Sequence, residues 1–279
     1  LLMETEIWPN LVAGCRAHGV PLVLANARLS EKSLRQAQRL TWLARPAYAG
    51  LTAAWAQTEA DAQRLRSLGA RVDGVFGNLK FDAQPEPRLL AQGQAWRAQV
   101  GRPVVLLASS REGEEALWWA AWGPVLKQKQ ALDQQNPAVV AIKSGVNADA
   151  QSPVQWLIVP RHPQRFDAVA VELVQAGLTV SRRSQWGAQP EPAEVWLGDS
   201  LGELALYYGL ADIALLGGSF APLGGQNLIE AAACGCPVVL GPHTFNFAEA
   251  AEQACAAGAA VRVADMAGAI TQVQAWIAE

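Results

Sequence analysis

The chain is poor in the side chains that most often hold metals: it has three histidines and four cysteines in 279 residues. Cys15, Cys234, Cys236 and Cys255 show no zinc-type pair spacing, and Cys234 and Cys236 lie in an apolar helix end. They read as reduced structural thiols rather than a redox or metal site. No aspartate-rich metal motif is present, so no metal is expected. No apolar run approaches the ~18 to 20 residues needed to span a bilayer. Leu1-Leu2-Met3 lacks the charged start of a signal peptide and resembles the tail of a buried strand handing over at Glu4-Thr5-Glu6. A start in mid-strand suggests that sequence is missing upstream. The formal net charge of −3 carries no clustered basic excess, which argues against a nucleic-acid partner.

What is present is globular text: 51% hydrophobic residues, 17% charged, and a length that suggests two compact units. Residues 1–83 alternate helix and strand: a helix over Pro9–His18, a strand at Pro21–Ala25, polar helical text to Leu43, then strands at Gly50–Gln57 and Arg71–Phe76 flanking a helix at Glu59–Leu68. Residues 84–102, with Pro85, Pro87 and a helical patch near Leu89–Trp96, read as a linker. From 103 to 279 the alternation resumes with strands at Pro103–Ala108, Val154–Val159, Leu178–Ser181 and Glu194–Leu197 and helices at Glu114–Lys129 and Phe166–Ala176. Asp133–Pro153 reads as an exposed loop. Trp118, Trp119 and Trp122 share one helix, where packing explains them better than ligand stacking. Alternating strands and helices indicate α/β units with parallel, doubly wound sheets.

The most informative stretch is Ala211–His243. A buried strand ends at Gly217-Gly218-Ser219, a loop with Gly224-Gly225 leads to a helix opening near Asn227 with Glu230 in its first turn, and a second strand, Pro237–Leu240, ends in Gly241-Pro242-His243. Glycines at a strand end facing a helix start make a pocket of free backbone N–H groups suited to phosphate. A carboxylate one turn into the helix suits sugar hydroxyls instead, so the pair points to a nucleotide sugar. Ligands of such sheets bind outside the carboxyl ends of strands, where Arg28, Arg161, Ser219 and His243 gather.

Each residue also has a plainer reading. Arg161, in Pro160-Arg161-His162-Pro163, could clamp a phosphate bidentately or simply end a strand at the surface. His162 reads as a packing or capping residue. Glu203, in Leu201-Gly202-Glu203, could compensate a helix dipole. Arg28 and Lys80 are isolated cations, and Glu4 with Glu6 could form a carboxylate pair or merely precede a helix.

Taken together, eight strings in order resemble the 3-deoxy-D-manno-octulosonic acid (Kdo) transferases: ETEIWPN (4–10), NARLS (26–30), GNLKFD (77–82), EGEE (112–115), PRHPQRF (160–166), LGELALYYGLADIALLGGS (201–219), GGQNLIEAAA (224–233) and GPHTFNF (241–247). The resemblance implies a GT-B glycosyltransferase, with two Rossmann-like domains and parallel sheets facing a cleft, the first incomplete here. Residues 1–83 would be acceptor-side and 103–279 would bind the donor, CMP-Kdo. The acceptor would be a lipid A precursor, the transfer inverting and metal-free, and no cofactor is implied. CMP contacts fall on Pro160, Arg161, Leu201, Gly202, Glu203, Asn227, Leu228, Ile229 and Glu230, with Glu230 accepting from the ribose. Glu6, Arg28, Lys80, Ser219 and His243 are secondary candidates. Gln226 stands where the family often has histidine. The family's general base is a glutamate in a Ser-Val-Gly-Glu-like loop beside a membrane-anchoring segment, and neither occurs here. The expectation is therefore a chain that lacks the catalytic base and is inactive alone. Its membrane contact, at the cytoplasmic face of a bacterial inner membrane, would run through missing upstream sequence. The competing readings are another GT-B enzyme (a UDP-sugar transferase or epimerase) and a non-catalytic nucleotide-binding remnant.

Overall fold

The computed structural model describes residues 1–135 and 152–278, and the chain divides into two units, Leu1–Ala83 and Gln84–Glu279. In the first unit the chain runs β1 (Leu2–Met3), α1 (Pro9–Ala17), β2 (Val23–Ala27), α2 (Glu31–Arg39), α3 (Thr41–Ala49), β3 (Ala53–Ala56), α4 (Glu59–Ser67) and β4 (Val72–Val75). All four strands are parallel, in the order β1-β2-β3-β4. Leu1–Met3 does enter a strand, but its edge position leaves Leu1 and Met3 exposed rather than buried. The polar text to Leu43 is two helices, broken at Leu40. Caps fix the helix starts: Ser30 Oγ accepts from the N–H of Ser33, and Thr58 Oγ1 from that of Asp61.

The second unit contains α5 (Pro87–Arg97), β5 (Val104–Ser110), α6 (Glu114–Gln135), β6 (Gln155–Pro160), α7 (Phe166–Gln175), β7 (Val180–Arg182), β8 (Val195–Leu197), α8 (Leu204–Leu210), β9 (Ile213–Leu216), α9 (Ile229–Ala233), β10 (Val238–Leu240), α10 (Ala248–Ala256), β11 (Ala260–Arg262) and α11 (Met266–Ala278). Its seven strands are parallel, in the order β11-β10-β9-β5-β6-β8-β7. Most of the loop expected over Asp133–Pro153 lies outside the described residues. The central strand shows why the sheet is covered on both faces. Val104, Leu106 and Ala108 enter one core with α8 and α9, while Val105 and Leu107 enter the other with α6 and α11. Period-2 alternation of apolar residues on both faces is the signature of a buried parallel strand. Trp118 and Trp122, four apart on α6, both pack edge-on to Trp156 of β6. They are core, as expected.

The linker reading of 84–102 is corrected. Pro87 opens α5 and the Glu86 carboxylate accepts from the N–H groups of Arg88 and Leu89, so the helix is capped and well formed. It belongs to the second unit because two glycines let it approach α8 closely. A Cβ on Gly93 would stand 2.2 Å from the Leu206 carbonyl oxygen, and one on Gly209 2.6 Å from that of Leu90. Trp96 is buried in the same core. The helical patch expected near Leu89–Trp96 is present within α5, whereas its contact with another helix through glycine is invisible without the partner helix. Gly93→Ala is expected to cost about 1–3 kcal/mol by overpacking, read as a lower midpoint in urea. An unchanged midpoint would show that the two helices can part without penalty.

Candidate functional site

The strand order reverses beside β5: the chain moves to β6 and β8 on one side and returns to β9, β10 and β11 on the other. The carboxyl ends of β5 and β9 therefore form a topological switch point, where ligands of open α/β sheets bind. The strand ends are crowded there. A Cβ on Gly217 would lie 2.3 Å from the Ser109 carbonyl oxygen, so only glycine permits this approach. Ser109 itself is held at φ 55°.

The part of the glycine loop next to β9 does not present the free amides expected of it. Glu114, fully buried at the start of α6, reaches across the strand ends. Its Oε2 accepts from the N–H groups of Gly218 (2.7 Å) and Arg111 (2.8 Å), and its Oε1 from those of Phe220 (3.1 Å) and Ala221 (3.2 Å). An internal carboxylate fills the phosphate-like cradle after β9. Beside it Glu115, also buried, takes a bidentate fork from Arg165 at 2.7 and 3.0 Å, and the Ser110 hydroxyl donates to it at 2.6 Å. Glu114, Glu115 and Arg165 tie together the ends of β5, β6 and β9. The strings EGEE and PRHPQRF contained all three, but nothing in their spacing marked which charges turn inward.

The predicted donor strings do lie along this edge, after β6 and its neighbour β8 on one side of β5 and after β9 on the other. Arg161 is exposed, and its Nε donates to Gln226 Oε1 at 3.3 Å, so Gln226 orients the cation. Asn227 precedes the helix rather than opening it: its Oδ1 accepts from the Ile229 N–H at 3.1 Å and its Nδ2 donates to Glu230 at 3.3 Å. Glu230 sits in the first turn of α9, as expected. Leu228 and Ile229 point into the core, and Pro160 is buried. These three offer a ligand only backbone atoms. Glu203 is the N-cap residue of α8, not a first-turn acid, and makes no capping bond. Its carboxylate takes a 2.8 Å bond from Arg183 and another from the Ser200 hydroxyl. Leu201 and Gly202 form the exposed tip of that loop.

Two secondary candidates in this unit are differently placed. Ser219 is wholly buried. Its hydroxyl donates to the Leu216 carbonyl and accepts from the Gly241 N–H at 2.8 Å, which joins β9 to β10 and leaves nothing for a ligand. His243 is half-buried, with its N–H on the Ser219 carbonyl. Burial pushes the Cys236 thiol up to about 12, and burial with the Glu230 carboxylate pushes Cys234 up to about 11. Both remain protonated thiols at neutral pH.

Within the first unit, Glu4 and Asn26 adopt φ of 55° and 50° at the ends of β1 and β2. Glu6 accepts the Trp8 indole N–H at 2.8 Å. Arg28 is exposed, and Lys80 stands 5.1 Å from the Phe81 ring. Asn26 Oδ1 accepts from the Leu79 N–H, and Asn78 donates to Gln57, which donates back to the Asn26 carbonyl. NARLS and GNLKFD, far apart in sequence, are thus one hydrogen-bonded cluster at the strand ends. Among the described residues no group of His, Cys, Asp or Glu is arranged to hold a metal.

The family described as 3-deoxy-D-manno-octulosonic-acid transferase (kdotransferase) matches residues 1–83. The curated 3-deoxy-D-manno-octulosonic acid transferase of Bordetella pertussis is 48% identical across the whole of this chain, and that of Haemophilus influenzae is 34% identical over 89% of it. The chain belongs to the Kdo transferase family. It spans 61% of the length of the first of these relatives and 54% of the second. The crystal structure of the C-terminal CMP-Kdo binding domain of WaaA from Acinetobacter baumannii superposes on 70% of the chain and 91% of that domain, with a TM-score of 0.56 and 28% identity. The fold of this Kdo transferase family member is accordingly the α/β, parallel-sheet fold of the GT-B glycosyltransferases.

Glu114 tests how far this switch point depends on its internal carboxylate. Glu114→Gln keeps one acceptor oxygen but turns an NH2 toward backbone donors. We expect a loss of about 2–4 kcal/mol in urea unfolding, the order for stranding buried partners of a charged acceptor. A loss under about 0.5 kcal/mol would mean the amides find other acceptors.

Proposed function

We propose that this Kdo transferase chain holds CMP-Kdo with its second unit and belongs to an enzyme that moves Kdo to a lipid A precursor. The reaction is an inverting displacement in lipopolysaccharide synthesis, with CMP leaving, at the cytoplasmic face of a bacterial inner membrane. The observation that carries the reading is the Arg161–Gln226 contact at the switch point, in a chain whose relatives are named for this transfer. With the glycine cradle filled by Glu114, the phosphate of the donor needs an exposed cation at the rim. Arg161, oriented by Gln226, supplies one and can offset charge on the departing phosphate. Glu230, held by Asn227, presents an acceptor for ribose hydroxyls. The backbone of Leu201-Gly202 completes the nucleotide surface. A metal ion is not needed where a guanidinium meets the phosphate.

No Ser-Val-Gly-Glu-like loop occurs in residues 1–279, so we assign the general base that deprotonates the acceptor hydroxyl to residues outside this sequence. Assayed alone with CMP-Kdo and a lipid A precursor, the 279-residue chain is expected to form no transfer product. Turnover would place the base within it. In calorimetric titration the chain is expected to prefer CMP to UDP, and a preference for UDP would favour a UDP-sugar enzyme. Arg161→Ala and Glu230→Ala should each weaken CMP binding by about 1–3 kcal/mol. Undiminished affinity in both would remove them from the donor site.

A further inference from the structure

The loop carrying Leu201-Gly202-Glu203 is held from outside by three consecutive residues, the last of β7 and the two that follow it. Arg182 Nε donates to Asp199 Oδ2 at 2.7 Å, and its Nη1 to Asp167 at 2.7 Å. Ser184 gives both its N–H (2.8 Å) and its hydroxyl (2.6 Å) to the same Asp199 carboxylate. Between them Arg183 reaches the far end of the loop, with Nη2 on Glu203 Oε1 at 2.8 Å. One short segment therefore grips both acids that bracket the exposed tip.

Arg183 is built for this grip at some expense. Its guanidinium lies 5.4 Å from the Trp96 ring and 5.8 Å from the Trp186 ring, within cation–π range of both. Its Nε is buried and has no hydrogen-bond partner. A stranded buried N–H is destabilising, a cost set against the ring contacts and the ion pair with Glu203. What the pose secures is Glu203, whose second oxygen is taken by Ser200, itself hydrogen-bonded to the Tyr207 hydroxyl. Glu203 thus has both oxygens engaged within the protein, and the tip, where Gly202 sits at φ 76°, is left to meet a ligand through its backbone.

We infer that Arg182-Arg183-Ser184 is a positioning clamp for the nucleotide loop 199–203, with Arg183 its central member, and that nucleotide affinity depends on it without direct contact. This rests on placing the Leu201–Glu203 string in the donor site. The hydrogen bonds at Asp199 agree with the clamp: burial raises its carboxyl pKa, but the bonds from Ser184 and Arg182 outweigh that and hold it below the ordinary carboxylate range. Arg183 acts through Glu203 and is not a catalytic residue.

The test compares the 279-residue chain with Arg183→Met, which keeps bulk without charge, and Arg183→Lys, which keeps charge without the flat stack. Ser184→Ala loosens the Asp199 end alone. Two quantities are read: amide hydrogen exchange over residues 199–204 without ligand, and the Kd for CMP. We expect Arg183→Met to speed exchange of the loop by tenfold or more, leave β5 and β6 unchanged, and raise the CMP Kd about tenfold. Lysine should recover part of both effects, and Ser184→Ala should show smaller ones. If Arg183→Met does not fold, the lysine variant decides by the same two readouts. Unchanged loop exchange would overturn the clamp. Faster exchange with an unchanged Kd would overturn its link to the nucleotide. Failure of the unmodified chain to bind CMP would instead sink the donor-site reading, while loop exchange would still report whether Arg183 fixes the loop.

Discussion

Glu114 has no solvent exposure, and its two oxygens accept hydrogen bonds from four backbone N–H groups drawn from the ends of β5 and β9. A buried carboxylate is tolerated only when its lone pairs are satisfied, and here the donors are the main chain itself. The arrangement fixes the turn after β5 against the glycine loop after β9, the two segments between which the sheet changes direction. Glu115 extends it to β6 through Arg165. The rigid floor of the site is thus two adjacent acids on the first turn of α6.

A floor of this kind decides what the rim must do. Amides already paired with an internal carboxylate are not free for an external anion, and the edge is completed by side chains such as the exposed Arg161. The loops that carry those side chains are in turn held by polar contacts to neighbouring segments: Gln226 to Arg161, Asn227 to Glu230, Arg183 to Glu203. Rotamers locked by a second layer of hydrogen bonds are what a binding site requires of its scaffold.

The first unit uses the same device on a smaller scale. Asp61, buried on α4, accepts from the Leu29 N–H and from Thr58 and Arg64, which holds the NARLS turn at the end of β2. Burial raises its carboxyl pKa, but these hydrogen bonds outweigh that and leave it lowered. Glu4, Asn26 and Ser109, the described non-glycine residues with positive φ, all stand at carboxyl ends of parallel strands. Backbone strain gathers where sites form, and here it marks those ends in both units.

Alternation of short apolar runs with amphipathic text determined the parallel α/β class, because a buried strand and a one-sided helix each leave their period in the sequence. The glycines at 217–218 and 224–225, with Arg161 and Glu230, read as carboxyl-end residues, and the structure places them after β6 and β9, because turns at strand ends leave their composition in the sequence. The collinear strings carried the family. Three things waited for the tertiary structure. The text of 84–102 could not say that Gly93 meets Leu206 across a helix pair. The strings EGEE and RRS could not say which charges face inward, since burial depends on what packs above them. Nor could the glycine loop reveal that the amides of Gly218, Phe220 and Ala221 are spoken for. That depends on a carboxylate 104 residues away, and only the return of the chain to β9 brings the two together.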